Sequence, residues 1–177
     1  MGAPTPPLEP LLEVADILRQ GGVGFALGGS GLLHALGLAG TVGDWDLTTD
    51  AEPTMIYRIF EGRPQERHGP SGVHADEKLR LCGGAVELIV GMAFRSPAGV
   101  CRLPTLVEGT WHGVPLARPE VWAVAYTLLG RDEKARRLFA HLRGRGADAD
   151  AVARLLREPL PPALAAELGG LIAPRPA

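Results

Sequence analysis

The sequence predicts an α/β (α+β) chain: a mixed sheet flanked by helices, followed by a helical C-terminal part. Three observations predict it. An apolar run at 23–27, bounded by glycines, is followed by a second strand-like run at 44–49 with a short helical stretch between them. Two strand-like runs at 78–82 and 85–90 flank Gly83-Gly84, a two-residue hairpin signal. After Pro119 the apolar period becomes helical, with Val121, Trp122, Ala125, Leu128 and Leu129 on one side. The expected division is a mixed core over 1–116 and a helical part over 117–177.

Composition bounds the answer. The chain has 177 residues, enough for one good-sized domain or a small core with an appended subdomain. Hydrophobic residues make up 46% and aromatics only 5%, so Leu, Val and Ala must fill the core. With 18 basic and 20 acidic residues the net charge is −2, which argues against a protein that coats nucleic acid through general basicity. Cys82 and Cys101 are too few for a disulfide framework and lack metal-ligand spacing, so two reduced, buried thiols are expected. No apolar stretch approaches the length of a membrane span. The N-terminus lacks a basic region followed by an apolar run, and Pro6 stands where a myristoylation motif needs Ser or Thr. A soluble, cytoplasmic protein is expected, with no membrane partner.

In chain order, residues 1–8 are Pro-rich and expected to be extended. Leu11, Leu12, Ala15 and Leu18 have helical spacing, and Gly21-Gly22 closes that helix. The run at 23–27 reads as a buried strand. Ser30 is a plausible N-cap for a helix from Gly31 that ends at Gly37 or Gly40. A strand at 44–49 follows, then a helix with Pro53 in its first turn and Met55, Ile56, Ile59 and Phe60 on its apolar face. Residues 62–72 are polar and contain Gly and Pro, so a mobile loop is expected. A short hairpin is expected over 106–114, turning near Gly109 or Gly113. Helical stretches at 148–157 and 162–168 are separated by Pro159 and Pro161, and the last eight residues are expected to be loose.

The residues that carry chemistry cluster early. Asp44 and Asp46 flank Trp45, so on a strand their carboxylates leave the same face. Adjacent carboxylates repel, and a fold tolerates them when a hard cation such as magnesium sits between them. Just upstream, Gly28-Gly29-Ser30 offers a backbone able to approach a phosphate, a hydroxyl and a helix start. Glu87 interrupts an otherwise apolar strand, which is costly unless the carboxylate is paired or metal-bound. The plain alternatives are a solvated strand end for the aspartates, an N-cap for Ser30 and an edge glutamate for Glu87. Arg131, Lys134, Arg136, Arg137, Arg143 and Arg145 are scattered around a helix axis, which favours a solvated surface over a triphosphate or RNA contact. The five histidines have no ligand spacing and are read as structural or surface groups, with His34 nearest the proposed site.

Gly28-Gly29-Ser30, the spacer to Gly43 and Asp44-Trp45-Asp46-Leu47 together resemble the signature of the nucleotidyltransferase superfamily, the polymerase-beta-like fold. Glu87 matches the slot of that family's third acidic residue. The stretch from Asp44 to Pro53, with Val86-Glu87 and Phe94-Arg95, also resembles the catalytic domain of CCA-adding enzymes. Ser30-Gly31 stands where that family has an Arg-Asp pair, and its long helical body is missing, so shared ancestry is implied rather than CCA addition. Small antibiotic-modifying and toxin-antitoxin nucleotidyltransferases carry a similar helix after a Pro.

The resemblance implies a magnesium-dependent transfer of a nucleoside monophosphate from an NTP donor, ATP among them, to a hydroxyl, with release of pyrophosphate. Asp44, Asp46 and Glu87 would be the catalytic, metal-binding carboxylates for two ions, and Gly28, Gly29 and Ser30 would bind the nucleotide's phosphates. A small-molecule acceptor is favoured by chain length and near-neutral charge. A tRNA or protein acceptor, or an interaction module without turnover, remains open. Small relatives are often dimers, so a homodimer is the corresponding expectation.

Overall fold

The structure, a computed structural model, describes residues 5–173. In chain order it consists of α1 (Glu9–Gln20), β1 (Ala26–Leu27), α2 (Gly29–Ala35), β2 (Trp45–Thr49), α3 (Pro53–Ile59), β3 (Gln65–His68), β4 (Glu77–Leu81), β5 (Val86–Val90), β6 (Ala93–Ser96), β7 (Gly99–Arg102), β8 (Val107–Trp111), β9 (Val114–Ala117), α4 (Pro119–Leu128), α5 (Asp132–Arg145), α6 (Ala149–Leu155) and α7 (Pro162–Gly170). Seven strands form one mixed sheet in the order β3-β4-β5-β2-β1-β9-β8, and β6 and β7 form a separate hairpin. β2 runs parallel to β5, and β1 parallel to β9; the other pairings are antiparallel. The architecture is α+β, a mixed sheet flanked by helices, as expected.

The period of two along the strands separates the sheet into two faces. Trp45 and Leu47 of β2, Val86, Leu88 and Val90 of β5, and Leu79 and Leu81 of β4 share one core cluster. That cluster also takes Leu11, Val14, Ala15 and Leu18 of α1 and Ile56 and Phe60 around α3. The residues between them, Asp46, Glu87, Ile89 and Lys78, point to the other face. There Ala26 and Ile89 share a second cluster with Leu32 and Leu33 of α2, with Phe94 and Cys101 of the β6–β7 hairpin, and with the C-terminal helices. Trp122, Leu138, Phe139, Val152, Leu155 and Leu164 are among the helices' contributions to it. The acidic residues therefore lie beneath α4 and α5, on the face away from α1.

Several expectations are corrected. Residues 62–72 are not all loop: β3 pairs with β4 from Gln65↔Leu81 to His68↔Lys78. β3 is polar and mostly exposed because it forms an edge, so it shows no apolar alternation in sequence. It is anchored by a hydrogen bond from Gln65 Nε2 to Phe60 O, at 3.0 Å, and by Arg67 stacked 3.9 Å from the Tyr57 ring. The β6–β7 hairpin was not anticipated, since its strands are short. The second expected hairpin is present and turns at Gly113, one of its two expected positions, with His112 and Gly113 both at positive φ. Gly83-Gly84 lies in a one-turn 3-10 helix, Cys82–Gly84, rather than in a two-residue turn. Ser30 is not an N-cap: α2 begins at Gly29, with Gly28 in the cap position. Cys101 is buried but Cys82 only half so. The final residue of α7 is Gly170, and residues 1–4 and 174–177 lie outside the described residues. Among the described residues no helix is long and apolar enough to cross a membrane.

Leu88 sits at the centre of the sheet, fully buried between β4 and β2. Leu88→Ala is expected to cost about 2–5 kcal/mol in urea-induced unfolding, with the slope of the transition unchanged.

Candidate active site

Asp46 of β2 and Glu87 of β5 are register partners on adjacent parallel strands, so their side chains stand next to each other on the α4 face. Asp44 lies two residues upstream and shares that side. The loop before α2 is shaped to receive them. Gly29 has φ +55°, and a Cβ on it would lie 1.7 Å from Asp46 Oδ2. A Cβ on Gly28 would lie 2.1 Å from the Trp122 indole. The two glycines are thus required by close approach, one to the carboxylate below and one to the helix above. Gly28 N–H donates to Asp46 O at 2.8 Å, fixing the loop to β2. The Ser30 hydroxyl donates to Asp44 O and accepts from Gly43 N–H, each at 3.4 Å, and so ties the start of α2 to the acidic segment.

Burial and repulsion set the electrostatics. Burial, and after it the negative charges of Asp44 and Glu87, pushes the Asp46 carboxyl up to about 7. Asp44 is also raised, first by burial and then by Glu87. Glu87 itself is paired: Lys78 Nζ donates to its Oε2 at 2.9 Å, with both side chains 19% exposed. A buried-looking glutamate is therefore compensated by a cation from the neighbouring strand.

Among the described residues no three His, Cys, Asp or Glu side chains converge to cage a metal ion by themselves. Magnesium does not need such a cage. It keeps several waters and is held through one or two carboxylates together with substrate phosphates. The Asp44–Asp46 pair, with its raised pKa values and open cavity, fits that demand. Glu87, engaged by Lys78, is the least available of the three.

The acidic residues line a cavity of about 220 Å³ together with Ser30, and further side chains complete it, of which the sequence had offered only Arg131 and Lys134 for a ligand contact. His74, Asp76 and Lys78 come from β4 and the segment before it; Trp122 and Tyr126 come from α4; Arg131 and Lys134 come from the start of α5. Trp122 Nε1 and the Tyr126 hydroxyl are buried without a hydrogen-bond partner among the described residues. Lys134 Nζ lies 5.1 Å from the Tyr126 ring centroid. The helical spacing of Trp122 and Tyr126 was visible in sequence, but it was equally the spacing of a core stripe. The basic stretch divides. Arg131 and Lys134 face the cavity, whereas Arg137 bonds Leu38 O at 2.7 Å, Arg143 pairs with Glu167 at 2.5 Å, and Arg145 pairs with Glu108. His34 does not line the cavity; its ring packs edge-on against Trp111 at 5.8 Å. His74 is the histidine that does.

No protein-family model matches this chain, and no curated protein is significantly similar to it. Among solved structures it is similar to the crystal structure of a candidate nucleotidyltransferase from Thermotoga maritima. The two share 26% sequence identity and a TM-score of 0.54, over 78% of this chain and 93% of that one.

Two predictions follow from the crowding around Asp46. Because its folded pKa is raised, the folded state keeps a proton that the unfolded chain has lost, so metal-free stability falls as pH rises from about 4 to about 7. In EDTA, Asp46→Asn is therefore expected to melt above wild type at pH 8, with the difference vanishing near pH 4; equal melting at pH 8 would contradict the assignment. Gly29→Ala is expected to lose about 1–3 kcal/mol, from strain at positive φ and displacement of the carboxylate, measured by denaturant unfolding.

Proposed function

On the premise of a nucleotidyltransferase-superfamily fold, we propose that this protein is a magnesium-dependent nucleotidyltransferase. It moves a nucleoside monophosphate from an NTP to a hydroxyl of a small molecule and releases pyrophosphate. The observation that carries this reading is the Asp44–Asp46 pair, set against the Gly28-Gly29-Ser30 loop in a cavity that also holds unpartnered donors. Two carboxylates pushed above their ordinary range by burial and then by neighbouring carboxylates are poised for a cation.

Asp44 and Asp46 would hold the magnesium. When bound, the ions neutralise charge on the triphosphate and on the attacking and leaving oxygens. The protein's own task is positioning, because phosphoryl transfer asks for little covalent chemistry from the enzyme. Ser30 and the amides around Gly29 border the phosphates. Trp122 Nε1–H and the Tyr126 O–H are buried donors awaiting an acceptor, and phosphate oxygens supply one. Arg131 and Lys134 add positive charge at the α5 side. The net charge of −2, and the engagement of Arg137, Arg143 and Arg145 by acidic or backbone groups, favour a small acceptor over RNA.

Pyrophosphate release from each of the four ribonucleoside triphosphates, with magnesium and a panel of polyhydroxylated acceptors, tests the reading. Asp44→Asn and Asp46→Asn are each expected to lower the rate by about 10²–10³-fold or more. Turnover that survives EDTA, or that Asp46→Asn leaves intact, would refute it. A rate that responds only to added tRNA or protein would keep the chemistry and replace the acceptor.

A further inference from the structure

The wall of the cavity opposite α4 contains a histidine and an aspartate that the reading above does not use. His74 and Asp76 lie just before β4, and both line the cavity. The backbone around His74 is firmly held. Ser71 and His74 exchange backbone hydrogen bonds at 3.0 Å, and Ala75 N–H donates to Ala93 O at 2.9 Å. Arg95 Nη1 donates to the carbonyls of Gly72 and His74, at 3.1 and 2.6 Å. The imidazole packs on Phe94, with ring centroids 5.4 Å apart.

The Asp76 side chain is 1% exposed. Its Oδ2 accepts from Ala93 N–H at 3.3 Å, while Oδ1 is buried with no hydrogen-bond partner. His74 Nδ1 is likewise buried without a partner, and it lies 3.8 Å from that oxygen. Unmet buried polar groups are costly and rare. Here an orphaned donor position and an orphaned acceptor face each other, and a small ring movement closes the bond. Once Nδ1–H is committed to Asp76, Nε2 carries the free lone pair. Burial, then Lys78, holds the imidazole below its ordinary pKa, with Asp76 and Glu87 opposing, so the ring is neutral near pH 7. The Glu87 carboxylate is already engaged, held by Lys78 at 2.9 Å.

We infer that His74 is the base that takes the proton of the acceptor hydroxyl, with Asp76 as the positioning residue that fixes its ring. The inference rests on the nucleotidyl-transfer reading above. The step balances as follows: the hydroxyl proton moves to His74 Nε2, the hydroxyl oxygen bonds to the α-phosphorus, the bond from that phosphorus to the bridging oxygen breaks, and its electron pair leaves with pyrophosphate. The imidazolium then returns the proton to water.

The test has two arms on the full chain. In the ligand-free protein, nitrogen-edited NMR of the His74 ring is expected to show the Nδ1–H tautomer, shifting to a mixture in Asp76→Asn; an Nε2–H ring in wild type overturns the proposal. In the second arm, magnesium and each triphosphate are supplied with water as the acceptor. His74→Gln is expected to slow pyrophosphate release about 10²–10⁴-fold, with triphosphate affinity by calorimetry unchanged. Asp76→Asn is expected to lower kcat less, with KM unchanged. Intact affinity and undiminished release in His74→Gln overturn the proposal alone. A wild-type protein that binds magnesium triphosphate no better than Asp46→Asn refutes nucleotidyl transfer itself, and the role of His74 with it. Where water is too poor an acceptor for turnover, the tautomer decides.

Discussion

The Asp46 carboxylate occupies the space that a side chain on residue 29 would fill, and much of the fold serves that contact. β2 must lie between β5 and β1, so that Asp46 meets Glu87 on one side and the glycine loop on the other. Gly28 must pass under Trp122, which brings α4 down onto the same loop. The helical C-terminal residues are then part of the cavity rather than an appendage: Trp122, Tyr126, Arg131 and Lys134 form its roof. A single Cβ at either glycine would push apart the strand, the loop or the helix that the cavity needs together.

The same packing concentrates negative charge where water is scarce. The structure answers it unevenly. Glu87 receives Lys78 from the neighbouring strand and Asp76 receives a backbone N–H, while burial, ahead of any neighbouring charge, raises the carboxyls of Asp44, Asp46 and Asp76. In the proposed reading, burial and carboxylate repulsion together ready the site for a cation that arrives with its substrate. Directly above stand two donors without acceptors, Trp122 Nε1 and the Tyr126 hydroxyl. In the proposed reading, a metal-bound polyphosphate would meet both the deficit of positive charge and the deficit of acceptors in this cavity.

Much of this was legible in the sequence. The Gly28-Gly29 pair, the Asp44–Asp46 alternation and Glu87 inside an apolar strand each violate a local rule, and such violations mark functional sites. The sheet's core strands and the helix after Pro119 were legible because their periods are strong. β3 was not, because an edge strand with polar faces carries no period. Ser30 was misplaced as a cap because its hydroxyl serves the 43–44 backbone instead, a contact set by tertiary structure. His74, Asp76, Trp122 and Tyr126 were missed for a similar reason. Their chemistry depends on which polar atoms are left unpaired on burial, and only the packed chain shows that.

The central claim is that the Asp44–Asp46 pair and the cavity above it bind a magnesium triphosphate. Thermal stabilisation by each ribonucleoside triphosphate, with and without magnesium, tests it most directly on wild type and Asp46→Asn. A triphosphate at about 100 times its dissociation constant should stabilise the wild type by roughly 2.7 kcal/mol, only with magnesium and not in the variant. Stabilisation equal in the two proteins, or none with any triphosphate, would contradict the account.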